Sequence, residues 1–389
     1  MQPRRNLLLY PRGMEVVGLV SGDFVRTGGM DMPNFALAKR CAERGIETHL
    51  VAYRVAPELA QERGVTWHAV RKPFDSYLAA SPFLDLAGQR LACRLSAQNS
   101  RVVVNGGNCQ VHDVNWVHYV HAAYRPLDQT SRPLRRVKGI VARALSLSRE
   151  RSALGSAQLV LVNSARTRQH LVEHLGVEAA RIHVVYYGID PQRFYPPSAE
   201  DRARSRAKLG FGERRQVAFV GALGDRRKGF DTLYAAWRGL CRQADWDCDL
   251  LVVGRGAELT LWQDRAKSEG LAQRVQFLGF RSDVPEILSA CDALVAPTRY
   301  EAFGLGVQEA LCTGLPALVS AEAGVAELYP EALQDLLVRD PESESELRAR
   351  LLLWRANRER LETATLSLST HLRQRTWDVM ADEIITLLS

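Results

Sequence analysis

Two glutamates with seven residues between them, Glu301 and Glu309, frame the stretch EAFGLGVQE, which also holds Phe303, Gly304 and Gly306. The run CDALVAP just before it reads as a buried strand, so the stretch leaves a strand end and enters a helix that begins near Gly304 to Gly306. The first N–H groups of such a helix lack intrahelical partners, and its dipole favours an anion. Glycine lets a diphosphate or a sugar come close to the backbone. Glu301, in the loop, can accept hydrogen bonds from sugar hydroxyls, and Glu309, a turn inside the helix, can accept both hydroxyls of a ribose. The two acids therefore need not be an acid–base pair. They can grip the two polyol ends of one molecule whose phosphates lie between them.

A second cluster, VGALGDRRKGFD, runs from a strand into a helix and carries Arg226, Arg227, Lys228 and Gly229. A diphosphate leaving group gathers charge as a glycosidic bond breaks, and fixed cations stabilise that charge without reorganising. A solvated basic turn accounts for the same residues equally well when they are read alone.

Other chemistries find less support. A dinucleotide fingerprint needs a third glycine, and GRGAEL places Leu259 there. No P-loop is written in the chain. DWDCD, Asp245 to Asp249, has the Asp-x-Asp spacing of a metal-dependent transferase, but it precedes the strand LLVVG instead of following one and reads as a solvated turn. His118 and His121 lie in NWVHYVHAAY, and on a strand their offset puts them on opposite faces, which argues against a two-histidine metal clamp. The 7 cysteines are scattered without CxxC pairs, as expected in a reducing cytoplasm and not in a disulfide or zinc framework.

Composition narrows the classes further. Hydrophobic residues are 46% and charged residues 24%, enough for real cores. No apolar run reaches the ~20 residues that span a bilayer. The N-terminal MQPRRNLLLYPRG lacks the long apolar region and cleavage site of a signal peptide. The net charge of +7 attracts anions, yet aromatics are 7% and no RNA-binding signature or zinc-finger spacing appears, so nucleic acid is not expected as a partner.

The elements that must position these residues follow an α/β rhythm. EVVGLV, ETHLVAY, RVVVNGG, NWVHYVH, AQLVLVNS and IHVVYYG read as strands, with helices such as MPNFALAKRCAERG and ARTRQHLVEHLG between them. GIDPQRFYPPSAEDRARSRAKLG, with paired prolines and a charged run, reads as a linker. The rhythm then restarts with RQVAFVGAL, DLLVVG, VQFLGF, ALVAPT and PALVS as strands. Strand–helix alternation of this kind means two parallel sheets wrapped by helices, with ligands expected at the carboxyl ends of the strands.

The chain resembles the retaining GT-B glycosyltransferases of the family-4 type. EAFGLGVQEAL is similar to that family's E-x7-E segment and RKGFDTL to its basic diphosphate motif. VVYYGIDPQRF resembles its V-x-N-G-V-D segment with Tyr187 in place of Asn, and FLGFRSDVPEILSACDALVAPTRYE and VLVNSARTRQHLVEHLG resemble further segments in the same order. The resemblance implies two Rossmann-like domains facing an interdomain cleft. Residues 1–195 would bind the acceptor, residues 196–370 the donor, and the helix of residues 371–389 would cross back to the first domain with Trp377 as its anchor.

The resemblance also implies roles. The donor is a nucleotide-diphosphate sugar, UDP- or GDP-linked, with no cofactor and no metal. Glu301 would touch the donor sugar and Glu309 the ribose. Phe303, Gly304 and Leu305 would offer amides, and Lys228 and Arg227 would hold the diphosphate. Gly279, Phe280 and Arg281 would flank the base. Gly28 and Gly29 in RTGGM would meet the diphosphate, and His121, with His118 as the second choice, would orient the acceptor or the sugar. One departure is plain: Ala222 stands where the family usually has Arg. The basic stretch of residues 131–154 has Leu134, Val137, Ile140, Val141, Ala144 and Leu145 at helical spacing, which suits either a surface helix or weak contact with an anionic membrane. The expected setting is cytoplasmic, with that weak contact at the inner face of the membrane. The acceptor would be a glycan, a lipid-linked sugar or a small molecule. A GT-B epimerase or phosphorylase, or a non-catalytic nucleotide-sugar-binding protein, would share the fold.

Overall fold

A computed structural model describes residues 14–125, 133–224 and 226–389. Its first sheet is built from β1 (Val16–Val20), β2 (Glu47–Ala52), β3 (Val65–Ala69), β4 (Ser100–Val104), β5 (Val114–Val117), β6 (Leu159–Val162) and β7 (Ile182–Val184), in the spatial order β3-β2-β1-β4-β5-β6-β7. The second holds β8 (Arg215–Val220), β9 (Cys248–Val253), β10 (Val275–Gly279), β11 (Ala293–Ala296), β12 (Ala317–Ser320) and β13 (Leu337–Val338), in the order β10-β9-β8-β11-β12-β13. The recorded pairings in both sheets are parallel. Strands covered on both faces by crossover helices must be apolar throughout, and β1 and β9 are buried at every position. Each sheet reverses its order beside its first strand, the topological switch point where doubly wound sheets bind ligands. This is the GT-B architecture, with two Rossmann-like sheets.

By its contacts the chain divides into two compact units. One holds the residues up to Val117, Leu145–Leu161 and Asp378–Ser389, and the other holds His118–Ala144 and Val162–Trp377. In the first unit, Asp382 of the last helix accepts from Arg40 at 2.8 and 2.7 Å and from Arg44 at 3.0 Å. Those guanidiniums pull its carboxyl down to about 2. Trp377 belongs to the second unit, buried with its ring 6.2 Å from that of Tyr187.

The structure corrects several sequence expectations. The segment read as a linker contains a helix, Ala199–Lys208, because the Ser198 hydroxyl caps it by accepting from the Asp201 N–H at 3.0 Å. The helix expected over residues 371–389 starts only at Trp377 and runs to Leu388; His371 and Leu372 end the preceding helix, Arg358–Leu372, and Thr376 in between pairs with Ile189 as an isolated bridge. β5 ends at Val117, so His118 and His121 lie beyond the strand and its face-alternation argument does not govern them. Asp247 and Asp249 are no solvated turn. Asp247 accepts from Arg355 at 2.7 and 2.6 Å, and Asp249, buried, accepts from Arg214 at 2.8 Å and Arg274 at 2.9 Å. The expectations for the N-terminal stretch and for residues 131 and 132 lie outside the described residues, as do the side chains of Leu134, Val137, Ile140 and Val141. The backbone of Pro133–Ser156 is helical.

Candidate active site

The E-x7-E stretch leaves β11 and enters α5 (Leu305–Cys312), which lies after α1 (Asp31–Glu43), α2 (Tyr77–Leu95), α3 (Ala165–Leu175) and α4 (Phe230–Leu240) in the chain. Gly304 is its N-cap with φ +110, a left-handed conformation that disfavours a side chain, and a Cβ there would come within 2.9 Å of Val325 Cγ1. A Cβ on Gly306 would meet no heavy atom within 4 Å, so the space beside the first turn is open. The turn is pinned from beneath by Val325 N–H donating to the Phe303 carbonyl at 2.6 Å and Gly324 N–H to the Glu301 carbonyl at 3.1 Å. Among the described residues, no recorded acceptor takes the N–H groups of Phe303, Gly304, Leu305 or Gly306. They form a row of donors at a positive helix end. Phe303 itself is buried, its ring 4.9 Å from that of Tyr187.

Glu301 is ion-paired with Lys228 and lies 3.4 Å from Arg227. Burial works to raise its carboxyl, but the two cations outweigh burial and hold it below its ordinary range. Glu309 is half-buried, and among the described residues none donates a recorded hydrogen bond to its carboxylate. Burial pushes it up to about 7, with Arg193 opposing. The two acids are therefore unlike: one is neutralised by the basic cluster, and the other has no hydrogen-bonding partner among the described residues.

The basic cluster sits in the loop between β8 and α4, and two features knit it to the loop before Glu301. Gly229 has φ +67, and a Cβ there would fall 1.9 Å from the Pro297 carbonyl oxygen, so no other residue fits. Arg299, which the sequence reading did not single out, donates to the Arg226 carbonyl at 2.6 Å and to both oxygens of Asp231 at 2.7 and 3.0 Å. Its own N–H donates to the Arg227 carbonyl at 2.8 Å. An arginine just upstream of the first acid was the available signal, but sequence alone does not say which carboxylate it meets. Ala222 is exposed at the end of β8.

His118, the second choice for orienting the acceptor or the sugar, follows directly after β5. It is buried, its Nδ1 lies 2.5 Å from the Tyr187 hydroxyl, and burial lowers its ring to about 3. Asn163 donates to the same hydroxyl at 3.1 Å, Thr167 donates to the Asn163 side-chain Oδ1 at 2.9 Å, and Ser164 donates to the Ala302 backbone carbonyl at 2.7 Å. Tyr187, the departure from the family's Asn, is thus a structural member of a buried chain that runs to the residue after Glu301. His121 begins a single turn, Ala123 being its last residue, and is half-buried with its ring 4.9 Å from that of Tyr119. Arg143 donates to the His121 carbonyl at 3.1 Å, and the Tyr300 hydroxyl accepts from Val120 N–H at 2.8 Å. The 118–124 segment is thereby tied to the residue before Glu301.

Gly279 ends β10 with φ +66, and its carbonyl accepts from Gly254 N–H at 2.8 Å. Phe280 next to it is 64% exposed, with the Arg255 guanidinium 4.9 Å above its ring. An uncovered phenyl ring beside a strand end is a ready stacking surface. Arg281 is occupied by Asp283 at 2.7 Å. Gly28 and Gly29 belong to the first unit, just before α1. Gly28 has φ +105, and Gly29 has no heavy atom within 4 Å of where its Cβ would be. Among the described residues no cluster of three or more His, Cys, Asp or Glu could hold a metal, and no helix is long and apolar enough to cross a membrane.

The two family matches fall on either side of the boundary between the two sheets. Residues 201–365 match the family described as Glycosyl transferases group 1, and residues 27–193 match Glycosyltransferase Family 4. The chain is 31% identical to mannosylfructose-phosphate synthase of Agrobacterium fabrum, over 44% of this chain and 39% of that one, so the match spans well under half of that relative. It is 25% identical to D-inositol 3-phosphate glycosyltransferase of Stackebrandtia nassauensis over 92% of this chain and 86% of that one. The solved structure of Anabaena HepE in complex with UDP and glucose superposes with a TM-score of 0.68 at 19% identity, covering 96% of this chain and 99% of that one.

Proposed function

Since this chain belongs to the glycosyl transferases group 1 and is a glycosyltransferase, we propose that it moves a hexose-type sugar from a UDP- or GDP-sugar to an acceptor hydroxyl with retention of anomeric configuration. The observation that carries this reading is the contrast between the two acids. Glu301 is neutralised by Lys228 and Arg227, whereas Glu309 sits one turn inside α5 without a hydrogen-bonding partner among the described residues. A nucleotide sugar has the complementary parts: a sugar and a ribose at its ends and a diphosphate between.

In this reading the diphosphate takes Lys228 and Arg227 from Glu301 and lies against the free amides of Phe303 to Gly306. Glu301, released, accepts from the sugar hydroxyls. Glu309 accepts from the ribose, and the base lies by Phe280. The acceptor oxygen bonds to the anomeric carbon on the face from which the phosphate oxygen departs, and that oxygen takes the acceptor's proton. His121 orients the acceptor or the sugar. Cations and helix dipole stabilise the leaving charge, so no metal is needed. The UDP and glucose named in the HepE structure support a UDP-linked donor.

The acceptor is proposed as a glycan, a lipid-linked sugar or a small molecule of polysaccharide or glycoconjugate assembly. The protein would work in the cytoplasm, in weak contact with the inner face of the membrane. Proton NMR of the product formed from a UDP- or GDP-hexose tests the reaction. An axial donor linkage retained in the product is the expected result, and an inverted linkage would refute retention.

A further inference from the structure

α2 has two apolar faces. Ala80, Leu84, Gly88, Leu91 and Leu95 recur at helical spacing and are buried in its own unit. Leu78, Pro82 and Leu86 recur at the same spacing on the other side and are exposed, with Phe83 beside them. Pro82 frees the Leu78 carbonyl, and the Ser81 hydroxyl donates to it at 3.1 Å, so the helix continues through the proline with this face intact. Just before the helix, Phe74 stands 96% exposed on a turn in which both it and Asp75 have positive φ, 55 and 48. Holding a phenylalanine in that conformation costs free energy and projects its ring outward. Large apolar side chains gathered on the second face of a helix mark a surface that something covers.

The charges around this face say what would cover it. Arg71 precedes it, Arg90 and Arg94 follow it, and all three are exposed. Lys72 is paired with Asp75 at 2.9 Å. Basic residues flanking a projecting aromatic and a leucine row match anionic headgroups above an acyl layer. A second copy of the chain would bring the same positive groups, in a protein of net charge +7, against themselves.

We propose that Phe74 and the exposed face of α2 dock this protein on an anionic lipid bilayer. The surface lies on a different helix from Pro133–Ser156, whose Arg149 donates to the Ser81 hydroxyl of α2, and it gives the weak membrane contact of the proposed function a defined location. The ring of Phe74 and the side chains of Leu78, Phe83 and Leu86 enter the headgroup boundary, while Arg71, Arg90 and Arg94 meet the phosphates.

Sedimentation of the full chain with vesicles tests this without a donor or a reaction, so its failure leaves the transferase reading standing. The wild type is expected to sediment with vesicles of about equal parts phosphatidylglycerol and phosphatidylcholine, and not with phosphatidylcholine alone. Added salt should weaken the binding. The combined variant Phe74→Ser, Leu78→Ser, Phe83→Ser and Leu86→Ser should lose about tenfold or more of the vesicle-bound fraction, with an unchanged melting temperature because these positions are exposed. Arg90→Glu with Arg94→Glu should weaken binding to the anionic vesicles alone. The proposal is overturned by a wild type that stays in solution or by undiminished binding of the serine variant. Loss of binding in Arg135→Glu with Arg136→Glu and not in the serine variant would also overturn it, as would a serine variant whose change is in oligomeric state.

Discussion

Arg299 holds both carboxylate oxygens of Asp231, at 2.7 and 3.0 Å, while its backbone N–H donates to the Arg227 carbonyl at 2.8 Å. One residue thus fixes the loop carrying Arg227 and Lys228 against the loop carrying Glu301. Its side chain is 10% exposed, so the pair is well shielded. Replacing Arg299 with Ala leaves Asp231 without its fork and should cost about 2–4 kcal/mol of stability. A displaced basic loop should lower kcat by about a hundredfold. Denaturant melts and initial rates check both, and a variant with full rate would show that the loops do not need this tie.

Glu309 gives a pH signature. Its folded pKa of about 7 lies above the unfolded carboxylate value, because burial disfavours the charge. Between those values the folded state holds a proton that the unfolded state has released. Stability therefore falls as pH rises from the carboxylate range through 7 and is level above it. Glu309→Gln removes the effect, so the ligand-free variant should exceed the wild type by about 2–3 kcal/mol at pH 8 and match it near pH 4. Affinity for a UDP- or GDP-sugar should run the other way, rising through pH 7 in the wild type and staying low and flat in Glu309→Gln. Paired melts and calorimetric titrations at several pH values measure both.

His118 and His121 separate by readout. His118 is held neutral by burial, with its folded pKa near 3. The unfolded chain takes up a proton below about 6.5, so the wild type should lose stability as pH falls through that value, and His118→Gln should lose less. At neutral pH the same variant should be less stable by about 1–3 kcal/mol through its broken link to Tyr187. His121→Ala should keep its melting temperature and lose about a hundredfold or more in kcat. A variant His121→Ala with normal turnover would remove that residue from the reaction.

Two glycines of one turn should behave differently. Gly304→Ala puts a Cβ within 2.9 Å of Val325 at φ +110, so it should destabilise the fold by about 1–3 kcal/mol. Gly306→Ala meets no protein atom within 4 Å, so its melting temperature should hold while donor affinity drops. Equal donor affinity in Gly306→Ala would mean that the open space beside the turn is not where the donor lies.

Much of this was legible in the residues. The central strand runs, such as VVGLV of β1 and the LLVV of β9, are apolar because both their faces are covered, which sequence records directly. The E-x7-E spacing and the RRK cluster mark the two loops that meet at Glu301. What could not be read were pairings that depend on distant partners: Arg299 with Asp231, Glu301 with Lys228, and the chain from His118 through Tyr187 to Asn163. The 199–208 helix was hidden because it is nearly all polar and its cap, Ser198, follows two prolines. The outer face of α2 was missed because its leucines and Phe83 look like core residues until the fold leaves them uncovered.

The most direct test is calorimetric titration of the ligand-free protein with UDP-, GDP- and ADP-hexoses, for the wild type, Glu309→Ala and Lys228→Ala. The account predicts that one nucleotide sugar binds the wild type and that each substitution weakens it by about tenfold or more. A wild type that binds none of them, or that binds one equally well after both substitutions, would contradict the assignment of this loop and helix end as the donor site.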